Sequence, residues 1–243
     1  MDITIFDRLE DAAVAVADQI CEAIAVKPAL VLGLPAGNTP VPLYTELRRR
    51  HAARRVDFSQ VTTFNLDEFV GISGDAPGSF RRFMNEQLFS GVNVHESRIQ
   101  FLDGLAADLE GECLRYEQAI PACGGIDIQV LGIGANGHIG FNEPGDELRA
   151  ATHIAVLEAA TREANAGLFD GDASRVPESA LTMGIGTILQ AREVILMAAG
   201  AAKARCVQQM IEGGVTPRVP ASLLQLHARV RVFLDRSAAL HLT

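Results

Sequence analysis

The chain reads as an α/β protein: one domain over residues 1–243, built on a doubly wound, mostly parallel sheet with helices on both faces. Three observations lead there. Short apolar, β-branched runs alternate with amphipathic helical stretches along the whole chain, which is the pattern of βαβ units. The runs at 29–34 and 194–199 are apolar nearly throughout instead of alternating, as strands covered on both faces are. No Pro/Ser-rich linker, internal repeat or low-complexity tract divides the chain.

In order, residues 3–6 form a short first strand. A helix opening at Asp7 runs to about Val26, with Val16, Ile20 and Ile24 at i, i+4 and i+8 as its core-facing stripe. Residues 29–34 are a buried strand ending in Pro35-Ala-Gly-Asn-Thr-Pro40. Pro40 suits the first turn of the next helix, with Thr39 as its cap and Leu43 and Leu47 on one face to about Arg50. The strand at 61–65 runs into Leu66-Asp67-Glu68-Phe69. A helix follows at 79–89, a strand at 99–102, an amphipathic helix at 108–120 and a buried strand at 126–131. Residues 153–157 read as a strand, followed by a polar, alanine-rich stretch carrying Arg162. Residues 180–190 mix glycine with apolar residues, as a strand-to-helix turn does. The run at 194–199 is strongly strand-like, and Gly200-Ala-Ala-Lys203 leads into a helix to about Ile211. A short helix at 223–226 and a strand at 230–234 complete a Rossmann-like layering. The segment 157–177 is the least core-like and is the candidate for a mobile lid.

Bulk properties exclude several classes. A net charge of -9 without a basic stripe argues against a nucleic-acid-binding surface, because phosphate backbones demand local positive charge. Cys21, Cys113, Cys123 and Cys206 are dispersed, with no CxxC pair, and read as reduced thiols, neither a disulfide frame nor a metal site. The first residues show no basic n-region followed by an apolar run, and no segment is apolar for the length of a membrane span. The expected compartment is the cytoplasm. The composition is compatible with a homo-oligomer, and no interface stripe is legible.

The chain is organised around residues 126–147. An apolar strand (Ile126, Ile128, Val130, Leu131) delivers its end into Gly132, Gly134 and Gly137, then into Asn136, His138, Asn142 and Glu143. Ligands of open parallel sheets gather at such strand ends. The glycine spacing also fits a dinucleotide fingerprint, but Pro144-Gly145 stops any helix there and no second strand ends in an acid at the required distance. A parallel sheet would bring Pro35 to Pro40, Asn65 to Glu68, Ile133 to Glu143 and Gly200 to Lys203 to one side. Ala36-Gly37-Asn38-Thr39 at a helix N-terminus offers free N–H groups, a cradle for phosphate. Arg162 and Lys203 could add fixed positive charge, or could be solvated surface cations. Asp67 and Glu68, flanked by Phe64, Leu66, Phe69 and Val70, have the apolar surroundings that raise a carboxyl pKa toward neutrality. A phosphate anchor, a carboxylate base, a histidine and a second carboxylate together point to proton transfer on a phosphorylated small molecule such as a sugar.

Four segments carry a resemblance to the glucosamine-6-phosphate deaminases. They are Leu32-Gly-Leu-Pro-Ala-Gly-Asn-Thr-Pro40, Phe64-Asn-Leu-Asp-Glu-Phe69, Gly134-Ala-Asn-Gly-His-Ile-Gly-Phe-Asn-Glu-Pro144 and Pro220-Ala-Ser-Leu-Leu-Gln-Leu-His227. The related 6-phosphogluconolactonases share the sheet and the Gly-rich turn but lack the Phe-Asn-Glu-Pro run. The resemblance implies conversion of glucosamine 6-phosphate and water to fructose 6-phosphate and ammonia, without metal or organic cofactor. Asp67 would carry a proton between C2 and C1, and His138, oriented by Glu143, would assist opening of the pyranose. Thr39 with the Gly37-Asn38 backbone, Arg162 and Lys203 would hold the phosphate. Asn136 stands where many members have Asp, so the charge beside His138 comes from Glu143 alone. The Ala36-Gly37-Asn38 turn departs from a common Thr-Gly-Gly, which keeps galactosamine 6-phosphate or another amino sugar phosphate open as substrate. A non-catalytic sugar-phosphate sensor would carry a helix-turn-helix and a basic surface, and neither is present. His153 and Ala155 occupy positions that are basic in members activated by N-acetylglucosamine 6-phosphate, so no such activation is expected.

Overall fold

The computed structural model describes residues 1–243. Its centre is a seven-stranded sheet in which every neighbouring pair is parallel. The strands are β1 (Asp2–Phe6), β2 (Val31–Leu34), β3 (Thr62–Asn65), β5 (Ile99–Gln100), β6 (Ile128–Leu131), β9 (Glu193–Ala198) and β10 (Val230–Asp235). Across the sheet they lie in the order β1-β10-β9-β6-β2-β3-β5. From β2 the chain winds outward through β3 to β5, and from β6 outward the other way through β9 to β10. The switch of direction falls between β2 and β6, where an open α/β sheet leaves a crevice beyond its strand ends.

Helices cover both faces, as the two apolar cores show. On one side α1 (Leu9–Val26) and α2 (Val41–Ala52) pack Val16, Ile20, Ile24, Leu43 and Leu47 onto Leu32, Leu34, Val130 and Ile195. These include the stripe expected on the first helix, and all are at most 4% exposed. Each such aliphatic side chain contributes about 1.5–3 kcal/mol of burial. On the other side α4 (Leu109–Ala122), α6 (Ile185–Leu189) and α7 (Ala204–Glu212) pack Tyr116, Ile188, Val207 and Met210 against Val31, Leu131, Leu196 and Val232.

Two details differ from the sequence reading. The first is a separate three-stranded antiparallel sheet of β4 (Asp67–Phe69), β8 (Ser179–Thr182) and β7 (His153–Val156), so the run at 153–157 is a strand outside the parallel sheet. Leu66 is the transfer point. Its N–H donates to Leu34 O (3.2 Å) in the large sheet, while its carbonyl accepts from Met183 N (2.7 Å) beside the small one. Asp67 and Glu68 therefore lie on a strand, and their side chains point to opposite faces. The second is that α2 begins at Val41 with Pro40 flanking it, and Thr39 makes no capping bond. The prolines at 40 and 42 remove two of the N–H groups that a cap would serve.

The stretch at 157–177 folds into α5 (Ala159–Asn165) and two short 3-10 turns, Ala166–Phe169 and Ala173–Arg175. Leu157, Phe169 and Val176 bury into a satellite cluster with Phe69, Phe80 and Phe141. No helix is long and apolar enough to cross a membrane.

Candidate active site

The loops after β2 and β6, the β3–β4 turn, the start of α7 and part of 157–177 enclose one cavity of about 440 Å³. That lies within the size range of small-molecule sites. Ala36, Gly37, Asn38, Thr39, Asp67, His138 and Lys203 all line it.

The β2 loop holds its shape through Gly37, whose φ of 98° lies in the left-handed region that a side chain disfavours. The buried Tyr44 hydroxyl on α2 donates to Pro35 O and supports the loop from beneath. No hydrogen bond within the chain uses the N–H groups of Gly37, Asn38 or Thr39, so these donors are unpaired on a loop that lines the cavity.

Asp67 is 8% exposed, and burial first, then the charge of neighbouring Glu68, pushes its pKa up to about 8. Glu68 faces the opposite way. It accepts from the N–H groups of Phe69 (2.9 Å), Phe80 (3.1 Å) and Arg81 (2.9 Å) and from Ser79 Oγ (2.8 Å), binding β4 to the N-terminus of α3 (Phe80–Gln87). Burial raises its pKa while these donors oppose the rise. The two neighbouring acids are thus divided: one faces the cavity, the other clamps a helix.

After β6 the chain forms a compact irregular loop, with no helix at the glycines. A Cβ on Gly134 would stand 2.3 Å from the His138 ring, so only glycine leaves the imidazole its place. His138 Nδ1 lies 3.4 Å from Glu143 Oε2, long for a hydrogen bond and close enough for an ion pair when the ring is protonated. Asn136 donates from Nδ2 to the same Oε2 (2.9 Å) and accepts His138 N–H at Oδ1 (3.2 Å). Glu143 Oε1 accepts from the Thr161 hydroxyl of α5. Burial alone would raise the Glu143 pKa, but His138, Thr161 and Asn136 together hold it below the usual carboxylate value. Asn136 and Glu143 stand behind His138, not on the cavity wall. Asn142 ties the loop down by donating from Nδ2 to Ile139 O (2.8 Å) and Met183 O (2.9 Å).

Lys203 ends a turn that Asp235 organises by accepting Gly200 N–H at 3.1 Å. Burial lowers its pKa, and it is the one lysine or arginine on the cavity wall. Arg162 is not among the lining residues. Its guanidinium donates to Val176 O (3.2 Å) and Ala173 O (3.4 Å), and Ala164, Asn165, Gly167 and Leu168 are what its segment presents to the cavity. No group of three His, Cys, Asp or Glu side chains comes together as a metal site.

The sequence reading missed Phe80, Phe141, Asn165 and Leu168 on the wall, and Tyr44, Tyr116 and Thr161 behind it. Tyr116 donates to Asn65 O at 2.5 Å, steadying the strand end that precedes Asp67. A lone aromatic or threonine at helical spacing carries no local mark that separates such a post from ordinary core.

Arranged so, the cavity can bind an anion at the β2 loop and Lys203, exchange a proton at Asp67, and move a second proton at His138. A family model for glucosamine-6-phosphate isomerases/6-phosphogluconolactonase matches residues 7–233. Glucosamine-6-phosphate deaminase 2 of Giardia intestinalis is 48% identical, the match covering 95% of this chain and 88% of that one. The glucosamine-6-phosphate deaminase of Halothermothrix orenii is 46% identical over 94% of this chain and 92% of its own. The solved structure of a monomeric glucosamine-6-phosphate deaminase superposes with a TM-score of 0.95 at 42% identity, covering 99% of each chain. A 6-phosphogluconolactonase from Trypanosoma cruzi shares the fold (TM-score 0.79, 20% identity, 100% of this chain and 97% of that one). With a family model spanning nearly its whole length and relatives above 40% identity, the chain belongs to the glucosamine-6-phosphate isomerase/6-phosphogluconolactonase family.

Proposed function

We propose that the chain deaminates and isomerises glucosamine 6-phosphate, giving fructose 6-phosphate and ammonia, as a step of amino-sugar catabolism. The observation that carries this reading is one cavity holding the buried Asp67 carboxyl, the His138 ring and the unpaired amides of Gly37 to Thr39. In the reading, the phosphate sits on those amides, the Thr39 hydroxyl and Lys203. His138, with Glu143 and Asn136 behind it, moves the proton that opens the pyranose ring. Asp67 takes the proton from C2 of the open chain and returns it to C1, while a second proton passes from the amine to the C1 oxygen, leaving a C1 alcohol and an imine at C2. Water adds at that carbon and ammonia leaves. A carboxyl with a pKa near the working pH suits such a shuttle, because it both accepts and returns the proton readily. Holding the phosphate at a distance supplies the positioning that makes the transfer fast. Arg162, now donating to the Val176 and Ala173 carbonyls, sits on the 157–177 segment and would reach the phosphate when that segment closes over the cavity.

The segment 157–177 is proposed as the lid, since α5 and the following turn form one cavity wall and α5 has a single buried residue. Four unpaired thiols suit a reducing compartment, and the cytoplasm is the proposed site of action. A coupled assay for ammonia and fructose 6-phosphate tests the reading, with galactosamine 6-phosphate as the epimeric comparison. Absence of ammonia release from either epimer overturns it.

A further inference from the structure

Thr161 is the one buried residue of α5, 3% exposed on a helix whose other residues are exposed or partly buried. Its methyl and hydroxyl do not line the cavity. Instead the hydroxyl donates to Glu143 Oε1, on a loop 18 residues away in sequence. The other Glu143 oxygen serves Asn136 Nδ2 (2.9 Å) and faces His138 Nδ1 (3.4 Å), so the carboxylate is shared between its own loop and α5. One turn further along the helix, Asn165 donates from Nδ2 to Thr161 O (2.9 Å) and stands on the cavity wall. Helix α5 therefore touches the cavity at Asn165 and the carboxylate behind the imidazole at Thr161.

We propose that Thr161 is a positioning residue which couples the 157–177 segment to the His138–Glu143 pair: only with α5 seated is Glu143 held as the anion that orients the imidazole. The proposal rests on the functional reading above for what the pair does. The physical argument is that a buried carboxylate needs donors to remain ionised. Glu143 has two polar partners on its own loop, and the donor from α5 arrives only when that helix is in place. Of the titratable groups, His138 acts on it directly, Lys203 and Asp67 line the cavity with the imidazole, and Arg162 on α5 is engaged with the carbonyls of Ala173 and Val176 and with Glu178 (4.0 Å).

Thr161→Val keeps the buried shape and removes the donor. Losing one hydrogen bond to a charged group lowers kcat about tenfold, with KM changed less. Because Thr161 helps hold the Glu143 pKa down, its removal raises that pKa, and the acid limb of the pH profile moves to higher pH. Thr161→Ser restores both to within about twofold, since the hydroxyl returns. A Thr161→Val enzyme with the wild-type kcat and pH profile overturns the proposal. A reading from the other partner does not depend on that variant folding: hydrogen exchange across Ala159–Asn165 should quicken in Glu143→Leu, which removes the acceptor of the Thr161 hydroxyl, and unchanged exchange there overturns it equally. Wild-type ammonia release, measured in the same series, keeps failure of the coupling distinct from failure of the functional reading.

Discussion

Replacing Asp67 by asparagine should make the protein more stable and nearly inactive. The carboxyl is 8% exposed, and its pKa is raised from 3.8 to about 8 by burial and by Glu68. The folded state therefore binds this proton more tightly than the unfolded chain does. Its contribution is fully favourable below pH 3.8 and is lost progressively as the pH rises toward about 8. At pH 7 the interval above 3.8 is about three units, an upper limit of about 4 kcal/mol at 1.36 kcal/mol per unit. An amide in the same place must itself find partners, so about 2 kcal/mol is the realistic gain. For a chain of this size that corresponds to a Tm higher by about 4–8 °C. At pH 5 the interval is about one unit, and the gain should fall to below about 1.5 kcal/mol. Thermal unfolding of wild type and Asp67→Asn at pH 5, 6, 7 and 8 measures it, with ammonia release followed in parallel. Activity should drop about 10²–10⁴-fold, the usual worth of a positioned acid–base group. A variant no more stable than wild type at pH 7, or a gain that does not grow with pH, refutes the account of Asp67 as a carboxyl held neutral by burial.

Three further outcomes are expected. Lys203→Met should raise KM for the sugar phosphate about 10–100-fold, the cost of one charge-assisted contact, and an unphosphorylated amino sugar should show no such loss. Asn142→Ala leaves Ile139 O and Met183 O without their donor in a buried site, costing about 2–4 kcal/mol of stability in chemical denaturation. Because burial lowers the His153 pKa and Ala155 has no charge, N-acetylglucosamine 6-phosphate should leave the substrate saturation curve unchanged. A curve shifted to lower substrate concentration would contradict that expectation.

The alternation of apolar runs with amphipathic helices was enough to predict a parallel α/β core, because both periodicities are local properties of the chain. The stripe of Val16, Ile20 and Ile24 and the buried runs that became β2 and β9 lie where the pattern put them. The glycines and polar residues after β6, and the acids after β3, were equally visible, since chemistry-bearing groups at strand ends stand out against apolar surroundings. The three-residue strand Asp67–Phe69 was not visible, being too short to show a period and paired with partners more than eighty positions away.

Long-range packing settled what local pattern left open. Asp67 and Glu68 look alike as neighbours, yet strand pleating turns one into the cavity and the other onto the N-terminus of α3. Lys203 and Arg162 look alike as cations, yet one reaches the wall and the other is held by carbonyls of its own segment. Thr161, an unremarkable residue in the sequence, meets Glu143 only because α5 folds back over the β6 loop. Residue type and spacing constrain which element forms, whereas the direction of a side chain depends on which distant surface its element is pressed against.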